Sequence, residues 1–253
     1  MNDNWEQRRD DEALSWQETP YVSQVTESTL KEMAAQDVMS QVATKSFAVV
    51  FIGLLVTTIA SYLTLSNVNF LYYLLTGGMF TFLLVAELVI VLINGWAIRK
   101  DHLVLAGIMY LAYSISNGIT MSVVFLAYDL GTVKEAFLLT AVIFGGMTAF
   151  GYFTKKDLAT VGSVCTMGLI GVLLVTVLNA FVFHSSGLDL VMDYVVVLLF
   201  VGITAYDMYR MKQLAVEGGE SEANRIALFT GMQLYLDFIN IFLRLIRIMG
   251  RRK

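Results

Sequence analysis

The stretch LYLDFINIFL, residues 234–243, places an aspartate in the middle of one of the most apolar segments of the chain. A carboxylate at the centre of a membrane helix costs about 2.5–3.5 kcal/mol on insertion scales. Polar residues recur around it at intervals of three and four positions: Thr230, Gln233, Asp237, Asn240 and Arg244. This spacing puts them on one face of a helix. We therefore expect the stripe to face other helices or a wet cavity.

The rest of the chain is as apolar as this segment. Hydrophobic residues make up 57% of the 253 residues, charged residues only 15%, and the mean hydropathy is +0.68. Soluble domains average about 45–50% apolar and about 25% charged residues. Long apolar runs, rather than short alternating strands, indicate helices and not a β-barrel. The sequence therefore predicts an all-α polytopic membrane protein.

Seven apolar runs are long enough to cross about 30 Å of hydrocarbon. They lie at 47–65, 70–94, 103–127, 135–153, 159–182, 189–210 and 226–248. We predict a transmembrane domain over 47–248, preceded by a polar tail at 1–46 and followed by a basic tail at 249–253. Residues 1–45 carry nine acids and four bases. Within this acidic tail, residues 29–46 are expected to form a helix near the membrane surface.

Loop charges predict the orientation. Eleven Lys and Arg residues lie in the tail and in the loops at 95–102, 154–158 and 210–225, whereas the alternate loops hold only Lys134. The positive-inside rule then places the N-terminus in the cytoplasm. Seven spans put the basic C-terminal residues outside, against that rule. Either the last segment is re-entrant, or six oriented spans outweigh the tail; we favour seven full spans.

Other polar residues in or near the spans are candidate partners of Asp237. Asp207 lies late in span six, where it could be an interfacial residue paired with Arg210. Glu87 lies in the middle of span two, where it could be a neutral carboxyl bonded to a neighbouring helix. Asn117, with Ser114 and Thr120, suits an interhelical hydrogen-bonding patch. Counted along its run, Asp207 lies about 10 Å from the middle of its span, so the sequence does not bring it to Asp237.

These residues resemble a known family. The Tyr-Asp pair at 206–207, a charged loop and then LYLDFINIFL followed by two arginines resemble the C-terminal signature of the Bax inhibitor family, the transmembrane Bax inhibitor motif proteins. The stretch GYFTKKDL, residues 151–158, is similar to that family's loop after span four. The resemblance covers roughly residues 40–250, and its LYLDFIN motif is specific.

The resemblance implies a seven-helix bundle with the last helix in the centre. It also implies a pH-sensitive calcium leak channel, in which Asp207 and Asp237 form the sensor and gate and bind Ca²⁺ transiently, without a tightly bound cofactor. Arg99, just past span two, would be a latch to Asp207, and Glu87 would be that family's acid in span two. Gln233 and Asn240 would be accessory polar residues of the same site.

Elementary chemistry agrees with this picture. Two carboxylates held close together cannot both ionise cheaply, so they share a proton and titrate as a pair. The protonated pair can join two helices by hydrogen bonds, whereas the ionised pair repels and offers hard oxygen ligands for Ca²⁺. We therefore expect the leak to rise with pH.

Other functions are weighed against this one. Intramembrane aspartyl proteases need Gly-x-Gly-Asp and a later Pro-Ala-Leu, but the chain has LYLD at the second aspartate and no proline after Pro20. Zinc chemistry is disfavoured because His102 and His184, the only histidines, fall on opposite sides of the predicted membrane. We expect no enzyme activity. The alternatives that stay open are an interaction protein that modulates a membrane protease or a cell-death response, with the aspartates as a structural clasp, and a cation/proton antiporter.

The expected location is a prokaryotic inner membrane, or an endomembrane in a eukaryote, with the N-terminus in the cytoplasm. The expected partners are the lipid bilayer, Ca²⁺, protons and a membrane protein, and not nucleic acid.

Overall fold

The computed structural model describes residues 20–250, and within them the side chains of all residues except 20–26 and 180. The predicted tails therefore lie partly outside the described residues, at 1–19 and 251–253. The described part is helical and contains no strand. Its elements are α1 (Pro20–Ser66), α2 (Val68–Thr76), α3 (Met79–Arg99), α4 (Leu103–Ala127), α5 (Leu130–Phe153), α6 (Ala159–Leu178), a π-helical turn (Asn179–Phe183) and α7 (Ser186–Gly250).

Six of these helices are long and apolar enough to cross a membrane, and α7, with 65 residues, is long enough to cross twice. Its backbone leaves the helical region at Gly219, with φ 62° and ψ −163°, a left-handed conformation that favours glycine. We call residues 186–218 α7N and residues 220–250 α7C. The two arms run back along each other, because Arg244 of α7C pairs with Asp193 of α7N and Arg210 lies over the Phe229 ring. The all-α membrane fold with seven crossing segments is confirmed.

The last arm lies in the centre of the bundle, as predicted. No residue from 225 to 250 is exposed. Phe238 of α7C packs on Phe144 of α5, and Tyr235 packs on Tyr110 of α4. The close approach of Gly231 to Val49 brings α1 against the same arm. Large apolar side chains on the outer helices are exposed instead, as expected for surfaces that face lipid.

Two predicted element boundaries are wrong. The run at 70–94 is not one helix, because Gly78 adopts a left-handed φ of 71° and separates α2 from α3. The segment at 29–46 is helical, but it continues without a break into the first span as part of α1. Burial stabilises this continuation, since Val42 and Ser46 are fully buried and Lys45 Nζ donates to Asn224 Oδ1 at 2.8 Å.

The seventh span crosses the bundle completely. Its N-terminal end lies near Lys45 of α1, through Asn224. Its C-terminal end lies at the opposite face, where Gly250 contacts the Tyr128 ring between α4 and α5. A re-entrant last segment would return towards the face where it began. The structure therefore contradicts that alternative and agrees with seven full spans.

Candidate functional site

A polar cavity of about 560 Å³ lies between α3, α6 and the two arms of α7. Apolar side chains such as Leu84, Leu169 and Phe200 form much of its wall. The polar residues that line it come from α3, α4, α6 and α7, and the two arms of α7 supply most of them. They are Glu87, Tyr113, Thr166, Tyr206, Asp207, Arg210, Gln233, Asp237 and Asn240. Concave sites with a few convergent polar groups in an apolar wall are typical of ligand and ion sites.

The structure brings Asp207 and Asp237 to the same cavity. Both side chains are buried, at 5% and 3% exposure, and their carboxyl groups interact electrostatically. Counting along the apolar runs predicted different depths in the membrane for the two aspartates. However, α7N continues past residue 210 to 218, so the apolar run does not mark the middle of that helix. The turn at Gly219 folds the two arms against each other, and both aspartates line the cavity beside them.

The Asp237 carboxyl is incompletely hydrogen-bonded. Its Oδ2 atom is buried and has no hydrogen-bond partner among the described residues. The Thr204 hydroxyl lies beside the carboxyl, but it donates to the Phe200 carbonyl at 2.7 Å. A buried polar atom without a partner costs free energy, so it marks a place where a water, an ion or a proton has a role.

The cation that faces Asp207 is Arg210, three residues further along α7N. Its guanidinium carbon also lies 5.7 Å from the centre of the Phe229 ring. The structure does not bring Arg99 to the cavity: that residue is exposed, and its Nε donates to the Gly95 carbonyl at 3.0 Å. In this conformation Arg210 is the cation whose charge acts on Asp207, whereas the latch role of Arg99 stays a prediction.

Glu87 joins α3 to α4 at the edge of the cavity. Its Oε1 accepts hydrogen bonds from Ser116 Oγ at 3.2 Å and from Thr120 Oγ1 at 3.0 Å. The carboxyl therefore bonds to a neighbouring helix, as one of the sequence alternatives proposed. Gln233 and Asn240 also line the cavity, and the Asn240 amide donates to the Leu236 carbonyl at 2.8 Å.

Sequence reasoning did not anticipate the role of Tyr235, which lies inside LYLDFIN. This ring is fully buried, and its hydroxyl lies 2.6 Å from Thr57 Oγ1 and 3.3 Å from Asn117 Oδ1. Thr57 also donates to the Ser114 carbonyl at 3.0 Å. The hydroxyl thus joins α1, α4 and α7C. The expected patch around Asn117 is confirmed, but a tyrosine in an apolar run carries no signal of its partner.

The described residues contain no group of three His, Cys, Asp or Glu side chains placed to hold a metal ion. The carboxylates of Asp207 and Asp237 offer at most four hard oxygens, whereas Ca²⁺ takes six to eight. Such a pair fits an ion in transit, with water completing its coordination.

Comparison with known proteins places the chain in a family. The family model described as "Inhibitor of apoptosis-promoting Bax1" matches residues 39–253. The chain is 32% identical over 206 residues to the inner membrane protein YbhL of Escherichia coli, covering 80% of this chain and 88% of that protein. It is 34% identical over 212 residues to an uncharacterized protein of Borreliella burgdorferi, covering 83% and 91%. It is also 32% identical over 216 residues to an uncharacterized membrane protein of Streptococcus pyogenes, covering 84% and 93%. With a family match over most of its length, this chain belongs to the Bax inhibitor family.

Proposed function

We propose that this protein is a pH-sensitive cation leak pathway that passes Ca²⁺, with Asp207 and Asp237 as its sensor and gate. The observation that carries the proposal is the cavity that the two buried aspartates line, in which Asp237 Oδ2 lacks a hydrogen-bond partner among the described side chains. A purely structural clasp would satisfy that oxygen. The protein is in this proposal a transport protein and not an enzyme.

The mechanism follows from the position of the two carboxyls on one helical hairpin. When the pair holds a proton, a hydrogen bond between the carboxyls draws α7N and α7C together. When both carboxyls ionise, Coulomb repulsion in a poorly screened cavity pushes the arms apart. The same negative charges attract a divalent cation. Deprotonation therefore both opens the path and gives it affinity for the ion. Ions then move down their gradient.

The other cavity residues have supporting roles in this proposal. Arg210 balances the charge of Asp207, and Glu87 presents a third carboxyl to an ion that passes between the arms. Gln233 adds a neutral polar side chain to the wall. The proposed setting is the inner membrane, with the N-terminus in the cytoplasm; the name of YbhL and the loop charges support it.

The test is calcium flux into proteoliposomes of the purified full-length chain, stepped from about pH 6 to about pH 8. The wild type should show a leak that rises with pH, and Asp207→Asn and Asp237→Asn should each make the leak insensitive to pH. Asp189→Asn is a matched control, because this aspartate lies at the start of α7N, where it accepts a hydrogen bond from Asn179, outside the cavity. A double variant that leaks with an unchanged pH profile would refute the gate.

The main alternative function is an interaction protein that modulates a membrane protease or a cell-death response. A cavity of about 870 Å³ between α1, the loop after α5 and the end of α7N supports this candidate. It is lined by residues of both charges, including Asp37, Lys155 and Glu217. No flux above that of empty liposomes at any pH would favour it. Stoichiometric proton counterflux would instead identify a cation/proton antiporter.

A further inference from the structure

An apolar groove of about 950 Å³ runs along the bundle between α1 and α5. Met121 and Phe125 of α4 also line it. The floor is the central arm α7C, through Phe238, Ile239 and Phe242. Because the flanking residues belong to membrane-crossing helices, the groove opens sideways into hydrocarbon and not into water. Its volume lies in the range of about 300–1,000 Å³ that is usual for ligand sites.

The groove offers a ligand almost no hydrogen-bonding group. Two threonines line it, but their hydroxyls already donate to backbone carbonyls: Thr57 to Ser114 at 3.0 Å, and Thr58 to Leu54 at 2.8 Å. Phe137 forms a wall, with its ring 5.5 Å from that of Phe238. Apolar cavities of this kind stay dry, so an apolar chain is the natural occupant.

One charged residue, Lys134, stands at one end of the groove. Among the described residues that line it, no other carries a charge. Its ammonium has no hydrogen bond or ion pair among the side chains that the structure describes. The groove residues Leu65 and Leu130 lie at this same end, at the end of α1 and the start of α5.

The sequence makes this lysine unusual. Before the C-terminal cluster, it is the only Lys or Arg in the loops predicted to lie opposite the N-terminus. The positive-inside rule disfavours a base at that face. A lysine near the end of a membrane helix extends its ammonium to the level of the lipid headgroups. At that level the ammonium lies close to the phosphate groups of the lipids.

We propose that this groove is a binding site for one acyl chain of an anionic phospholipid, with Lys134 holding the lipid phosphate. The length fits: Phe51 and Leu65 lie at opposite ends of the α1 wall, about 21 Å apart at 1.5 Å per residue. One leaflet of the hydrocarbon core is about 15 Å deep, so the groove accommodates a whole acyl chain. The lipid comes from the leaflet at the Lys134 end and fills the gap between α1 and α5. This site is separate from the aspartate cavity.

The headgroup part is tested by native mass spectrometry of the full-length chain released from detergent micelles. The probes are phosphatidylglycerol and phosphatidylcholine with the same acyl chains. The wild type should retain phosphatidylglycerol in preference, and Lys134→Gln should lower that preference about fivefold. Lys100→Gln is the matched control, since this exposed lysine at the end of α3 is remote from the groove. Equal losses in the two variants, or no preference in the wild type, would overturn the selection of an anionic lipid by Lys134.

The acyl-chain part is tested by filling the groove. Leu138 lines it and is 65% exposed, so Leu138→Trp should fold and should lower the retention of both lipids. Leu173→Trp on α6, where Leu173 is 62% exposed and outside the groove, should retain both. Monodisperse elution in size-exclusion chromatography confirms that a variant folds. If Leu138→Trp does not fold, Leu55→Trp replaces it. Retention unchanged in the filled variant would overturn the site.

Discussion

Asp193 and Arg244 join the two arms of α7 at the end farthest from Gly219. Arg244 Nη1 donates to Asp193 Oδ1 at 2.9 Å, and Arg247 Nη1 lies 3.5 Å from the same oxygen. The Asp193 side chain is only 1% exposed. This buried carboxylate gives two arginines of the basic C-terminal cluster a counter-charge at the face where the positive-inside rule disfavours them. This counter-charge explains in part why the seventh span crosses the bundle completely despite the arginines at its end.

Removing this carboxylate should destabilise the bundle. Asp193→Asn leaves Arg244, which is 23% exposed, beside a neutral amide. Breaking a buried ion pair by removing one partner costs about 3–5 kcal/mol in soluble proteins. We expect a clear fall in the thermal unfolding midpoint of the detergent-solubilised protein. Glu27→Gln should hardly change it, because the Lys31–Glu27 pair is exposed. Equal midpoints for the two variants would contradict the role of Asp193.

The two ends of the chain should be labelled from opposite sides of the membrane. The α7C arm begins beside Lys45 and ends beside Tyr128, at the opposite face. In a background where Cys165 is replaced by serine, single cysteines at residues 28 and 253 should react with a membrane-impermeant maleimide from different sides of oriented vesicles. With the charge distribution of the loops, we expect residue 28 to be labelled from the cytoplasmic side. Labelling of both from one side would contradict the seven-span topology.

The sequence predicted helix content and most of the span positions, because long apolar runs are local signals. The central place of the last arm was expected only from the family resemblance. The prediction from sequence failed at Gly78, since a glycine inside an apolar run does not show that its φ is positive. For the site, the stripe identified Asp237 and the family signature identified Asp207. Their meeting in one cavity depends on how the two arms fold against each other at Gly219, which is a property of two packed helices and not of either segment.

The sequence also did not determine which arginine is the charge partner of Asp207. Arg99 and Arg210 both lie near ends of predicted spans, and sequence position alone did not decide which one faces Asp207. The helical spacing of three residues favours Arg210, whereas a contact from Arg99 needs the end of α3 to approach α7N at the level of Asp207. In the structure the exposed Arg99 folds back on its own helix instead.

Close packing of α1 on α4 should depend on Gly118. A Cβ at this position would lie 2.5 Å from the Thr57 carbonyl oxygen and 2.7 Å from Ala60 Cβ, so Gly118→Ala should force the two helices apart. Overpacking of this kind costs about 1–3 kcal/mol. Gly107 lies on the same helix with nothing within 4 Å of its Cβ position, and Gly107→Ala should be neutral or slightly stabilising. Unfolding midpoints of the two alanine variants measure the difference, and a neutral Gly118→Ala would refute the close contact.

The Tyr235 hydroxyl should contribute to stability through its hydrogen bonds, apart from the packing of its ring. Tyr235→Phe leaves Thr57 and Asn117 without this partner, and hydrogen bonds between membrane helices average about 0.6 kcal/mol. Tyr235→Ala also removes the ring that packs edge-on against Tyr110 and Tyr113, so it should cost about 3–5 kcal/mol. Tyr72→Phe, at a residue 69% exposed, is the control. Equal midpoints for Tyr235→Phe and the wild type would show that the hydroxyl contributes nothing.

Arg210 should set the pH at which the proposed leak opens. Its positive charge faces Asp207 and favours the ionised carboxylate, which is the open form in this mechanism. With Arg210→Gln the protonated, closed form is favoured, so the midpoint of the flux profile should move to higher pH and the leak at about pH 7 should fall. Calcium flux into proteoliposomes across the same pH range measures the midpoint. Arg225→Gln is the control, because Arg225 pairs with Glu222 outside the cavity. A midpoint that moves to lower pH, or that moves equally in both variants, would mean that Arg210 does not act on the aspartate pair through its charge.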